Sequence, residues 1–307
     1  MTKLSDRIEN VLNEARMLLL GGQVLLGFSY RIFFEPRFDR IADSARLSQL
    51  GGVGIMTAGL GLLIWPASFH QIAEHGRQTL AVEKFTTRVL DWALLPLAIG
   101  LALTLYPVAC ALHLPHAAWI GAAGGFAALA IWYGGLLVRT GKPKERDRKS
   151  EQHEPGDESD LSDRIKKVLI ECRMALPGAQ AFLGFQFAIV FAQGFDDLPR
   201  SSQWIHFASL LASTIAIVLL IAPAAYHRLA EGGQNTDHFH RIASRFLLAA
   251  LVFLAPGMAG DLLVVMRKFT SPPWPYWASG VLLIAFYALW FGLSLSRRGK
   301  GAPRDKR

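Results

Sequence analysis

The chain has 307 residues, 52% of them hydrophobic, and a mean hydropathy of +0.29, yet its formal net charge is +8. A nucleic-acid binder would gather that basic excess on one folded face, whereas here Lys and Arg stand between long apolar blocks, so no nucleic-acid partner is expected. Two distant cysteines, Cys110 and Cys172, with no CxxC spacing, exclude a disulfide framework and a zinc centre, and no metal is expected.

The chain opens with MTKLSDRIENVLNEAR. Leu4, Ile8, Val11, Leu12 and Ala15 recur at helical spacing, with Arg7, Glu14 and Arg16 on the other face. This predicts a short amphipathic helix at the membrane interface; a plain continuation of the first span into solvent meets the same pattern. The stretch lacks the basic, apolar and small-residue order of a cleaved signal, so insertion is expected to rely on the first internal helix. Four spans are predicted at 17–34, 50–69, 89–111 and 119–138. They approach or exceed the ~18 to 20 apolar residues that cross a bilayer as a helix.

Next comes KPKERDRKSEQHEPGDESD, 142–160, densely charged in both signs and without apolar periodicity, which predicts a disordered linker. Leu161, Ile165, Val168, Leu169 and Cys172 then renew the amphipathic pattern, with Arg164, Lys166, Lys167, Glu171 and Arg173 opposite. Four more spans are predicted at 174–191, 207–225, 246–266 and 276–296. The basic stretch RRGKGAPRDKR closes the chain.

The renewal is a duplication. LSDRI occurs at 4–8 and again at 161–165, an offset of 157 that holds without a gap. It maps Gln23 onto Gln180, Leu26-Gly27-Phe28 onto Leu183-Gly184-Phe185, Pro66 onto Pro223, His70 onto His227 and Arg88 onto Arg245. The expected domains are a first four-helix repeat over 1–141, the linker 142–160, a second repeat over 161–298 and a basic tail over 299–307. Four spans per copy is an even number, so both copies enter the membrane in one orientation and the repeats are parallel. All but seven of the 32 Lys and Arg fall in the N-terminal arm, the linker with its flanks from Arg139 to Arg173, the C-terminal end from Arg297 on and the loops after spans two and six. By the positive-inside rule these segments, and both termini, are expected in the cytoplasm, where linker and tail would meet anionic lipid headgroups.

The sharpest polar feature is written twice, as WPASFHQIAEHG (65–76) and APAAYHRLAEGG (222–233). His and Glu at i and i+4 share a helix face. Together with the residues before span one and at the start of span three, they predict a cluster at the cytoplasmic boundary. Its members are Glu14, Arg16, His70, Glu74 and Arg88 in the first copy, and Glu171, Arg173, His227, Glu231 and Arg245 in the second. Mutual neutralisation at the interface is the plain reading, and proton exchange is the functional one. A haem between His70 and His227 fits poorly with their boundary position, and no cofactor is expected. Gln23 and Gln180, beside small residues, are read as intramembrane helix-packing amides. Asp91 is expected to pair with Arg88, and Asp261 with Arg267 or Lys268.

ECRMALPGAQAFLGFQFAIVFAQGFDDL (171–198), IAPAAYHRLAEGG (221–233) and HRIASRFLLAALVF (240–253) resemble a family of small bacterial four-helix integral membrane proteins of unknown function. The resemblance implies a bacterial inner-membrane location and a four-helix unit, here in tandem, and no known activity. No GxSxG, P-loop or GxGxxG motif is present. The expectation is an all-α polytopic membrane bundle of eight transmembrane helices, non-enzymatic, structural or regulatory, and compatible with a homo-oligomer. The alternative is a proton-linked transporter or channel with a pathway at the repeat interface.

Overall fold

The computed structural model describes residues 4–74, 79–138, 157–229 and 236–297, and every regular element among them is helical. The first repeat contains α1 (Leu4–Ile32), α2 (Asp43–Ile72), α3 (Leu80–Ala111) and α4 (Ala117–Val138). The second contains α5 (Asp157–Val190), α6 (Arg200–Leu229), α7 (Asp237–Phe269) and α8 (Trp274–Tyr287), which runs through a π-helical segment, Ala288–Leu293, into a last turn at Ser294–Arg297. Short 3-10 turns, Phe38–Arg40 and Gln193–Phe195, follow α1 and α5.

Local chemistry repeats with the offset. Thr79 caps α3 by accepting from the Val82 amide at 3.2 Å, and Thr236 caps α7 by accepting from the Phe239 amide at 3.0 Å. An extended threonine at this position satisfies an amide that the helix leaves without an internal partner. Pro66 and Pro223 stand inside α2 and α6, which continue past them, so His70 belongs to the helix body.

Six helical stretches among the described residues are long and apolar enough to cross a membrane: Asp43–Ile72, Leu80–Ala111, Val168–Val190, Arg200–Tyr226, His238–Phe269 and Trp274–Arg297. The chain is a multi-pass membrane protein on this count. A further apolar stretch, Ala117–Tyr133, lies within the 22 residues of α4. In α1 the apolar run is hemmed in by Arg16 and Arg31.

The two central helices are α1 and α5. Phe28 and Phe185, equivalent residues of the two copies, meet with ring centroids 4.6 Å apart. This seam continues downward through Leu26, Leu19, Ala179 and Ala175, all buried. The separate amphipathic helices expected ahead of spans one and five are not formed as such. Neither α1 nor α5 breaks at that point, because nothing there interrupts the i to i−4 hydrogen-bond ladder. Leu12, Ala15, Val168 and Cys172 are buried in the protein core, so these apolar residues face neighbouring helices instead of lipid. Residues 157–160, expected in the linker, form the first turn of α5; residues 142–156 and the tail lie outside the described residues.

The copies differ in where their fourth helix lies. In α4, the Tyr133 hydroxyl donates to the Asp91 carbonyl of α3. Its equivalent, Trp290 in the π-helical segment, instead donates from Nε1 to the Gly61 carbonyl of α2 at 2.8 Å, stacked on Phe286. A Cβ on Gly61 would lie 2.0 Å from the Phe286 ring, so only glycine permits the approach.

Candidate functional site

At the end of the bundle where α1 begins and α2 ends, a buried polar network joins the two repeats. The His70 ring nitrogen Nδ1 bonds Oε1 of Glu171, and the Gln71 amide donates to Oε2 of the same carboxylate. Ser244 Oγ stands 2.7 Å from Gln71 Oε1 and 2.9 Å from the His240 carbonyl, sharing its one hydroxyl hydrogen between two acceptors. His70 is 1% exposed and Glu171 0%. A carboxylate taken out of water needs such donors, and here both oxygens of a second-repeat acid receive them from α2 of the first repeat.

The predicted boundary cluster is thereby divided. His70 and Glu171 come together in the interior, from different copies. Glu14, Arg16, Arg88 and Arg245 are exposed and Glu74 is half-buried. The side chains of Arg173 and His227, and the whole of Glu231, lie outside what the structure describes. The two glutamines also separate: Gln180 is exposed, while Gln23 is 1% exposed and enters a notch at Gly178 of α5. A Cβ on Gly178 would lie 1.4 Å from Gln23 Oε1.

A second network lies at the opposite end, entirely within the second repeat. His206 Nδ1 and Asp261 Oδ1 are 3.0 Å apart, the Gln186 amide donates to Asp261 Oδ2 at 2.7 Å, and His206 Nε2 donates to the Gln186 carbonyl at 3.0 Å. All three side chains are buried, at 1%, 3% and 1% exposure for His206, Asp261 and Gln186. Asp261 therefore has a different partner from the one its neighbours in the chain suggest. Arg267 instead reaches Ser201 Oγ at 2.7 Å, and Lys268 reaches the Phe33 carbonyl at 2.6 Å and Asp39 at 3.7 Å. The flanking basic residues are at the helix end, whereas Asp261 points into the bundle nearly two turns earlier.

The offset could have exposed this site. Gln186, His206 and Asp261 correspond to Ser29, Gln49 and Thr104, polar residues at matching depths in otherwise apolar spans. In the first repeat the Gln49 amide donates to the Ser29 carbonyl at 3.0 Å, the same bond that His206 makes to Gln186. Both copies share the frame of the site, and only the second places ionisable groups in it. Among the described residues, no three His, Cys, Asp or Glu side chains converge as metal ligands.

A family model described as a family of unknown function (DUF6328) matches residues 2–136 and again residues 157–294. The chain belongs to this family. The two DUF6328 segments are consistent with a tandem duplication and coincide with the α1–α4 and α5–α8 units described above. No curated protein and no solved structure shows significant similarity to the chain. Membership in a family of unknown function assigns no reaction, so function has to be argued from the two buried networks.

Proposed function

We propose that this is a non-enzymatic protein of the bacterial inner membrane, with a structural or regulatory role, that crosses the bilayer eight times as two parallel four-helix repeats. Eight crossings are supported by equivalence: α1 and α4 correspond to α5 and α8, whose apolar stretches are long enough. Cytoplasmic termini are supported by the position of the seven remaining basic residues, Arg31, Arg37, Arg40, Arg46, Arg200, Arg267 and Lys268, at the other end of the bundle. Linker and tail then face anionic lipid.

The observation that carries this reading is Glu171, fully buried and held by His70 and Gln71 of the other repeat. Such a junction ties two modules into one body and specifies their register. In reconstituted vesicles, His70→Gln and Glu171→Gln are expected to leave proton and solute fluxes unchanged while lowering thermal stability in detergent. A flux lost with either substitution would overturn the structural reading.

A second reading, proton-linked transport, is favoured by one fact: a buried His-carboxylate pair lies towards each end of the bundle. From Glu171 to Gln186 along α5 is about 22 Å at 1.5 Å per residue, most of a hydrocarbon core. Ionisable groups at such depth are costly and mark ion or proton routes in many membrane proteins. Alkalinisation or acidification of vesicles under an imposed pH gradient, compared with empty vesicles, tests it.

A further inference from the structure

We propose that the second repeat binds one exchangeable proton at the His206–Asp261 pair, and that the seam between α6 and α7 is the polar half-pathway serving it. The proposal deepens the proton-linked reading above and rests on it for its physiological meaning, though the bound proton stands on geometry alone.

Proton counting comes first. His206 Nε2 faces the Gln186 carbonyl, which can only accept, so Nε2 carries a hydrogen. The 3.0 Å contact between His206 Nδ1 and Asp261 Oδ1 then needs one further proton, whether it resides on the imidazole or on the carboxyl. Without it, a nitrogen lone pair would oppose a carboxylate oxygen in a buried site. The structure is therefore the proton-loaded form. Release leaves a neutral His206 and an Asp261 carboxylate still holding the Gln186 amide hydrogen bond, and the proton passes to water.

The seam has polar groups to accompany that proton. Ser202, His206, Ser209 and Ser213 follow one another at i, i+4, i+7 and i+11 on α6, and each is at most 4% exposed. Opposite them α7 presents Gly257, Gly260 and Asp261: a Cβ on Gly257 would lie 2.4 Å from Ser213 Oγ, and one on Gly260 would lie 2.0 Å from Ser209 Oγ. Among the described residues, three buried polar atoms along this seam, Gln186 Oε1, Ser202 Oγ and Ser213 Oγ, have no protein partner. Buried groups of this kind ordinarily bind water. The equivalent positions in the first repeat are Ala45, Gln49, Gly52 and Met56, so that seam lacks the serine stripe.

The stripe begins within the first turn of α6 at Ser202 and reaches about 16 Å inward to Ser213. Phe195 packs edge-on against His206, ring centroids 5.3 Å apart, and covers the site from that end. The titratable and charged groups on the neighbouring helices are Tyr30 of α1, buried with its hydroxyl 3.3 Å from Thr57 Oγ1, and Arg267 and Lys268 at the end of α7, held by Ser201, Phe33 and Asp39.

The test is difference infrared spectroscopy of the full-length protein in lipid during a pH titration, reading imidazole, carboxyl and carboxylate bands. Wild type is expected to show a titrating signal in the imidazole or the carboxyl bands, according to which group holds the proton, that persists in Glu171→Gln. The signal should be lost in the triple variant Gln186→Ser, His206→Gln, Asp261→Thr, which installs the first repeat's own residues. If that triple variant does not fold, His206→Gln alone keeps the bond to the Gln186 carbonyl, as Gln49 does to Ser29, and should displace the signal. A signal unaltered by these changes, or absent from wild type across its folded range, overturns the proposal. Loss of vesicle proton flux as a property, with the infrared signal intact, sinks the transport reading and leaves the bound proton in place.

Discussion

His70 and Glu171 are 101 residues apart in the chain and share a hydrogen bond across the seam between the two repeats, with both side chains shut off from solvent. The bond makes the fold of one copy answerable to the other: α2 cannot rotate or slide without leaving a second-repeat carboxylate bare. Gln71 adds to this, since its amide serves Glu171 while its carbonyl oxygen faces Ser244 of α7.

Breaking that junction on one side should be costly. Removing one partner of a buried hydrogen bond leaves the other group unsatisfied, which typically costs ~1 to 3 kcal/mol and more where that group is charged. His70→Ala is expected to lower thermal stability in detergent strongly, whereas the pair His70→Leu with Glu171→Leu should recover much of the loss. Equal destabilisation by the single and paired changes would show that the bond itself is not what matters.

The Gln23 notch gives a steric prediction. Gly178→Ala places a methyl group 1.4 Å from Gln23 Oε1, so the glutamine must leave its seat or the helices must part. Overpacking of this kind costs ~1 to 3 kcal/mol. Combining it with Gln23→Ala should restore stability towards wild type in thermal scans, a coupling that additive effects would not produce.

Trp290 anchors the second repeat's last helix on the first repeat. Trp290→Phe removes the Nε1 bond to the Gly61 carbonyl while keeping the stack on Phe286. A loss of ~1 kcal/mol is expected for the hydrogen bond. Gly61→Ala should be worse, because the Phe286 ring stands 2.0 Å from the new methyl group. Protease sensitivity near the end of α8, compared between the two variants, would rank them; the opposite order would refute this account.

Topology can be read directly. Reporter fusions placed at 145 and 300 are expected to give cytoplasmic signals, and a cysteine introduced at Arg37, which is exposed at the far end, should react with an impermeant thiol reagent from outside. Outside signals from either fusion would invert the assignment.

Much of the architecture was legible in the residues themselves. The 157-residue offset, the apolar blocks and the charge between them led to helices, copies and approximate ends, because span length and duplication are properties of a one-dimensional string. The partners of His70 and Asp261 were not legible, and there is a physical reason. Spacing of i and i+4 identifies neighbours on one helix, such as His70 with Glu74, but these spans are apolar nearly all round, so no strong periodicity says which face turns inward. That rotation is set by packing, by whether a Gly178 or a Gly61 lets another helix close in. Only the assembled bundle could decide that the histidine in WPASFHQIAEHG would meet the glutamate opening ECRMALPGAQ, and that Asp261 would turn from its basic neighbours towards His206.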